Sequence, residues 1–501
     1  MKANAQDVGR LAKGAGISII GKLSGRGINF LIQVILARYL GPSVFGLYAI
    51  SWALLRIIGL IAPMGLEQGI IHYGLNYRQR DTSAFRNTFF ISLLLTLLSA
   101  VVISLLLFSL APFISQGLFN KPDLELFFKI FAFSIPFVAV LRLLSTSTTI
   151  SKSTKFSALS EEISQPAFEL VLILIVIILG LGVVGILWAS VISFVFAAIL
   201  SIFFTIKLFP EILTRSIKIE KGLVKSLLLF SIPVAFANLF GLIISWVDRI
   251  LVGFFLTEED AGIYASVSLV SVLFVTILSG IKMIFSPMIA DYFHKGEHQQ
   301  LEDIYRISTK WGLYLSLPLG LFFLINGKDF LWFVFGPEYN IGALALGILV
   351  VGQLINIGTG PIDIIFIMTH RNKDWFLLSF FAFIFNISVN SLLIPEFGIN
   401  GAAVGTSMTI AGMYLVGLLL VREKIKIWPY DQRFVKGIIA SFASSAVLIV
   451  ISLLHLPMQI NVFVSGAASV LTFGLILILL RLDKEDVWII EKVQQRFAQR
   501  V

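Results

Sequence analysis

Apolar residues run through this chain in long unbroken stretches, such as VLILIVIILG at 171–180, without the two-residue alternation of half-buried strands. A helix crosses a bilayer core with about 20 such residues, whereas barrel strands need only about 9–11. The pattern predicts an all-α, polytopic membrane protein with fourteen spans. They lie at 17–37, 44–66, 88–112, 126–150, 167–184, 186–208, 226–249, 263–285, 310–333, 342–367, 375–394, 401–421, 435–455 and 461–481. The first, second and seventh carry charge and are the least regular.

Polar residues inside these spans fall in stripes. The first span places Ser18, Lys22, Arg26, Asn29 and Gln33 three or four residues apart, which is one face of a helix. The second does the same with Trp52, Arg56, Gly59, Pro63 and Glu67, and the seventh carries Asn238, Ser245, Asp248 and Arg249. Arg142 lies in the fourth span and Lys282 in the eighth; Gln353, Asn356 and Asp363 share a face of the tenth, and Asn386 and Asn390 one of the eleventh.

The chain also repeats itself. LGPSVFGLYA at 40–49 returns as LTEEDAGIYA at 256–265, with Leu40, Gly46, Tyr48 and Ala49 matched 216 residues later. The same offset pairs Phe119 with Phe335, Gly182 with Gly398 and Gly185 with Gly401, and pairs Lys22, Asn29 and Gln33 with Asn238, Ser245 and Arg249. Six spans fit one repeat, and an even number leaves both copies the same way up, with a site expected at the seam between them. The expected organisation is an N-terminal six-helix lobe at 1–210, a second at 211–425, an appended pair of spans at 426–482 and a cytoplasmic tail at 483–501. In that tail Ile490, Val493, Phe497 and Val501 oppose Lys492, Arg496 and Arg500, the pattern of a helix lying on the inner leaflet.

Composition agrees with the pattern. Apolar residues make up 57% and charged residues 13%, about half the charge of soluble domains. There is no cysteine, so thiol and disulfide chemistry are excluded. Both termini and the even-numbered loops, with the residues at their span ends, hold 28 Lys and Arg, against three (Arg38, Lys121 and Lys328) on the other side. That asymmetry puts both termini in the cytoplasm and accounts for most of the net charge of +9 without nucleic acid.

Six cations lie deep in the spans: Lys22, Arg26, Arg56, Arg142, Arg249 and Lys282. Facing lipid they would cost roughly 15–20 kcal/mol together, so they face a wet interior or one another. Glu67, Asp248 and Asp363 are the acids in view, too few to neutralise six cations, and the interior is expected to favour an anion. Lys282 and Arg249 also lie near enough to span ends to snorkel. Asn29, Gln33, Asn238, Gln353 and Asn356 are expected to line the cavity or to glue helices together. Glu67, Asp248 and Asp363 serve as internal counter-charges or, where an ion is coupled, as its ligands.

Two motifs are declined. GLGVVG at 180–185 fits a dinucleotide fingerprint, but the acid required about 20 residues on is absent, and it reads as a tight turn between spans. HKGEH at 294–298 fits an inverted zinc-protease pattern, but Gly296 sits inside it and the loop is short. No catalytic group, metal or cofactor is expected.

LARYLGPSVFGLYA at 36–49, the basic first span, the Gly-x-x-Gly turns at 182–185 and 398–401 and the 6+6+2 layout resemble the polysaccharide (O-antigen-type) flippases of the multidrug/oligosaccharidyl-lipid/polysaccharide exporter superfamily. The resemblance covers essentially the whole chain. It implies a cell-membrane protein whose two lobes form a V opening alternately to each side. It further implies a polyprenyl-pyrophosphate-linked oligosaccharide as substrate, with Arg26 and Arg56 as pyrophosphate contacts. Polysaccharide polymerases and glycosyltransferases are the expected protein partners, and a monomer the expected state. A cation-coupled drug exporter of the same superfamily, and a membrane polymerase or glycosyltransferase, are the alternatives. An exporter prefers an acidic or aromatic cavity for cationic drugs and about twelve spans, and an enzyme wants a large outer loop or an exposed carboxylate cluster near one face.

Overall fold

The structure, a computed structural model, describes residues 5–487 apart from 79, 152–154, 214–220, 455 and 484. The tail pattern at 490–501 lies outside these residues, as do the side chains of Lys22 and Asn238. All regular structure among the described residues is helical. The chain divides into two compact units, Met1–Gly262 and Ile263–Val501.

The first unit begins with α1 (Ala5–Ile61), bent where Gly41 takes a left-handed φ of 71° and Pro42 restarts the helix. It continues with α2 (Leu66–Tyr77), α3 (Thr82–Pro112), α4 (Leu124–Ala132), α5 (Ile135–Ser147) and the short α6 (Lys155–Ser157). Then follow α7 (Gln165–Ile178), α8 (Gly182–Leu208), α9 (Lys221–Ile244) and α10 (Val247–Phe255). Local chemistry sets several starts. The Asp81 carboxylate accepts from the Ser83 and Ala84 amides at 2.9 and 3.0 Å and caps α3. Prolines in the first turns of α5 and α7 occupy positions where the missing N–H has no helical partner. Two wide π-helical segments, Phe113–Leu118 and Ala158–Ser164, extend α3 and lead into α7. A buried cluster of Leu66, Ile70, Phe85, Leu143, Phe209 and Leu227 ties α2, α3, α5 and α9 together.

The helix α11 (Glu258–Lys295) starts in the first unit and runs into the second. There follow α12 (His298–Phe335), α13 (Ala343–Gly358), α14 (Ile362–Met368), α15 (Asn372–Lys424), α16 (Arg433–Leu453) and α17 (Met458–Leu479). In α15 the bend falls at Gly398, with φ 59°. Phe285, Tyr305, Ile365, Phe366, Leu418 and Val421 form the core where α11, α12, α14 and α15 meet. Large apolar side chains such as Ile178, Phe442 and Leu471 stand exposed, as lipid-facing positions require.

The fourteen apolar stretches fall largely on helix, though they do not map one to one onto separate helices. Among the described residues ten helices are long and apolar enough to cross a membrane, or eleven when α4 and α5, bent by 45°, count as one span. The first two stretches are joined within Leu23–Tyr77, and 375–394 and 401–421 within Asn372–Lys424. The 167–184 stretch forms only the 14-residue α7 before Gly180 and Gly182 turn the chain with φ 64° each.

The 216-residue repeat has structural counterparts. Gly182 and Gly398 share a left-handed φ, as do Asn120 and Gly336, and α8 and α15 end at the matched residues Leu208 and Lys424. Tyr48 and Tyr264 are both fully buried. The two glycines of the repeated turn lie against each other. A Cβ on Gly46 would strike the carbonyl of Glu258 and the amide of Gly262, and one on Gly262 would strike the carbonyl of Pro42 and the amide of Gly46. Pro42 and Glu258 are themselves matched by the repeat, so this contact is locally reciprocal. Backbone meets backbone there, and only glycine fits.

Candidate functional site

Most of the buried charged side chains among the described residues lie in the first unit. Where α1 gives way to α2, Met64 and Gly65 are both left-handed, with φ 54° and 71°. Gly65 lies against the Ser231 carbonyl and the Ala235 side chain of α9, leaving no room for a Cβ. This break sets Glu67 in the first turn of α2, where the positive end of the helix dipole favours a carboxylate. Its Oε1 lies 3.5 Å from Nε of Arg142 on α5. The Glu67 side chain is 9% exposed and that of Arg142 32%. Both line a cavity of about 280 Å³ together with Gln68, Thr146, Ala235 and Gly241.

Next to this pair stands a column of aromatic and polar groups on the second arm of α1. The Arg56 guanidinium packs over the Trp52 ring at 4.9 Å, and Trp52 stacks on Tyr48 at 5.7 Å. The Tyr48 hydroxyl lies 3.5 Å from Glu169 of α7 and 3.4 Å from Ser190 of α8. Glu169, 1% exposed, accepts from Ser190 at 2.7 Å and from Gln165 at 2.8 Å. Glu161, in the π-helical segment, accepts from Ser145 at 2.5 Å. Arg56 is within electrostatic reach of Glu169, Glu161 and Arg142.

This corrects the count of acids. Glu161 lies between the predicted spans 126–150 and 167–184, and Glu169 is a single acid in an otherwise apolar stretch. Folding turns both inward, so Arg56 and Arg142 face three carboxylates, Glu67, Glu161 and Glu169. Around Arg56 and Arg142 the interior of this unit is therefore a mixed-charge network. Buried charges in a bilayer demand such pairing.

The other sequence-predicted residues are placed as follows. Arg26 is exposed on the first arm of α1, where Gly25 packs against the backbone of Glu162. Asn29 donates to the Gly25 carbonyl of its own helix at 3.0 Å, and Gln33 is half-buried. Arg249 is buried: it donates to the Ser245 carbonyl at 2.9 Å and packs 4.6 Å from the Trp246 ring, while Asp248 accepts from the Arg249 amide at 2.8 Å. In the second unit Lys282 is paired with Asp363 at 2.8 Å and lies 5.8 Å from the Tyr414 ring. Asn356 donates to Gln353 at 3.2 Å, and Asn386 to Thr409 at 3.2 Å.

A second charged cluster was not foreseen. Lys310 on α12 is 1% exposed and meets Asp483, Glu485 and Asp486 at 3.1, 2.8 and 3.0 Å. Arg433 and Lys436 of α16 add bridges of 2.6 Å to Glu485 and Asp483. The segment after α17 is thus folded back onto α12 and α16 as far as it is described.

The family model for polysaccharide biosynthesis proteins matches residues 11–293, more than half of the chain, and the MatE model matches 233–392. A probable flippase, AglR, of Haloferax volcanii is 23% identical over 98% of this chain and 99% of its own length. A probable low-salt glycan biosynthesis flippase of the same organism is 25% identical over 34% of this chain; the match spans only 36% of that relative. Among solved structures, the lipid II flippase MurJ in an inward closed conformation superposes with a TM-score of 0.72 at 14% identity, covering 92% of this chain and 98% of that one. The helical multi-pass architecture is therefore one already known in membrane transporters, and the chain belongs to the polysaccharide biosynthesis protein family.

Proposed function

We propose that this protein is a flippase that carries a polyprenyl-pyrophosphate-linked oligosaccharide from the cytoplasmic to the outer leaflet of the cell membrane by alternating access. The observation that carries the reading is the arginine-bearing polar pocket of Glu67, Gln68, Arg142 and Thr146, enclosed in a unit whose outer surface is made for lipid. Arginine forks match phosphate oxygens in geometry and charge. A lipid-linked pyrophosphate needs such a polar chamber for its head, whereas its tail need not leave the bilayer. Arg142 and Arg56 are the residues assigned to the pyrophosphate, with Arg26 on the approach. Arg249 and Lys282, already held by Ser245 and Asp363, serve as internal braces. One relative's name, a probable low-salt glycan biosynthesis flippase, supports a glycan as the cargo, and the other's supports a flippase. The Lys and Arg asymmetry of the loops supports cytoplasmic termini.

A second reading, a cation-coupled drug exporter, draws on the three carboxylates of the first unit and on the match to the MatE model. Vesicles reconstituted with the full chain separate the two. Delivery of a labelled polyprenyl-pyrophosphate oligosaccharide to the far leaflet, lost in Arg56→Ala and Arg142→Ala, supports the flippase. Uptake of a cationic dye with no oligosaccharide transfer overturns it.

A further inference from the structure

The Glu67–Arg142 pair is poorly matched for a buried ion pair. Its closest contact runs through Nε at 3.5 Å, whereas charge-assisted arginine–carboxylate bonds are commonly bidentate at about 2.7–2.9 Å. The second carboxylate oxygen, Oε2, is buried and has no hydrogen-bond partner among the described residues. A buried acceptor left unpaired is unfavourable, and it is tolerated where another state of the molecule gains from it. Arg142 keeps a third of its side chain exposed in a cavity that Gln68 and Thr146 also line. The carboxylate itself is held by the chain break at Met64 and Gly65, which α9 buttresses through Ser231 and Ala235.

We infer that Glu67 is an exchangeable counter-ion: it neutralises Arg142 when the pocket is empty, yields the guanidinium to an incoming phosphate, and competes that phosphate off again for release. This rests on the flippase reading and deepens it. A phosphate group brings more charge and more acceptor oxygens than one carboxylate, so it wins the guanidinium when present. The returning carboxylate keeps the complex from becoming a trap. Gln68 and Thr146 supply further donors to the same oxygens. Inorganic pyrophosphate, a prenyl pyrophosphate and a phospholipid headgroup share this chemistry, so the experiment must tell them apart.

The test uses the purified full chain in detergent. Binding is measured with inorganic pyrophosphate, with farnesyl pyrophosphate and with phosphatidylglycerol, for the wild type and for Glu67→Gln, Arg142→Gln and the double variant. Removing one competing carboxylate should tighten phosphate binding by about tenfold, and removing the arginine should weaken it by at least as much. In the Arg142→Gln background, Glu67→Gln should change affinity by less than about twofold, because the two act on one guanidinium. In vesicles Glu67→Gln should also turn over more slowly than the wild type, since release is delayed. Glu67→Ser gives a second neutral side chain should the amide not fold. The probe whose affinity rises most in Glu67→Gln identifies the source of the phosphate. If the wild type binds a probe and both neutral variants bind it no more tightly, the exchange is wrong while the flippase reading stands. If the wild type binds none of the three, both fall together.

Discussion

Replacing Lys310 with methionine keeps most of the side-chain volume and removes one charge from a site shared by Asp483, Glu485 and Asp486. The ammonium touches all three carboxylates at 2.8–3.1 Å and is 1% exposed, so water cannot take its place without repacking. Breaking a buried pair from one side costs about 3–5 kcal/mol. Arg433 and Lys436 stay on Glu485 and Asp483 at 2.6 Å, which places the expectation at the lower end, about 3 kcal/mol. For a unit of this size that corresponds to a fall of about 6–12 °C in Tm. The assay is a heat challenge in detergent, followed by the fraction that still elutes as a single sizing peak.

The same cluster sets a pH signature. Burial pushes the Asp483 and Glu485 carboxyls up, but the hydrogen bonds from Lys436, Lys310 and Arg433 outweigh it and hold both below their ordinary values of 3.8 and 4.5. Carboxyls depressed in the folded state add stability that is present above those ordinary values and is lost as the pH falls through the lowered ones. The difference between wild type and Lys310→Met should therefore be full at pH 7 and shrink as the pH drops below about 4. Equal heat resistance at pH 7, or a gap that ignores pH down to 3, would refute this account of the cluster.

Other substitutions follow from the packing. Gly46→Ala and Gly262→Ala each press a methyl group into opposing backbone, and each should cost at least the 1–3 kcal/mol usual for overpacking; folded yield in membranes reports it. Because they share one contact, the double variant should lose less than the two losses added, and simple additivity would argue that the turns do not touch. Gly65→Ala combines a left-handed φ with a collision against α9, and should lower folded yield more than Gly27→Ala, where nothing lies within 4 Å. Asp363→Asn strips Lys282 of its partner and should lower heat stability, whereas Lys282→Met combined with Asp363→Leu should restore much of it, as read by the same sizing assay.

The helices were legible because a lipid solvent demands long apolar runs, and the turns at Gly41, Gly182 and Gly398 because glycine marks left-handed backbone. The repeat was legible for the same reason. Pairings between distant residues were not. Lys282 and Asp363 are 81 positions apart, and Lys310 and Glu485 are 175 apart, so no local period announces them. Glu169 gave one faint signal, a lone carboxylate in an apolar stretch. Its partners Tyr48 and Ser190 come from other helices and carry no charge. The number of crossing helices was blurred by bends that keep two stretches in one helical path.

The reciprocal glycine contact has an implication for how such a gene can change. Each of the two codons is constrained by the other, although 216 positions separate them in the chain. Neither copy of the duplicated turn can acquire a side chain while its twin stays in place, so mutation at this pair is filtered as at a single locus. The two copies of the turn are thus each held to glycine by their own contact.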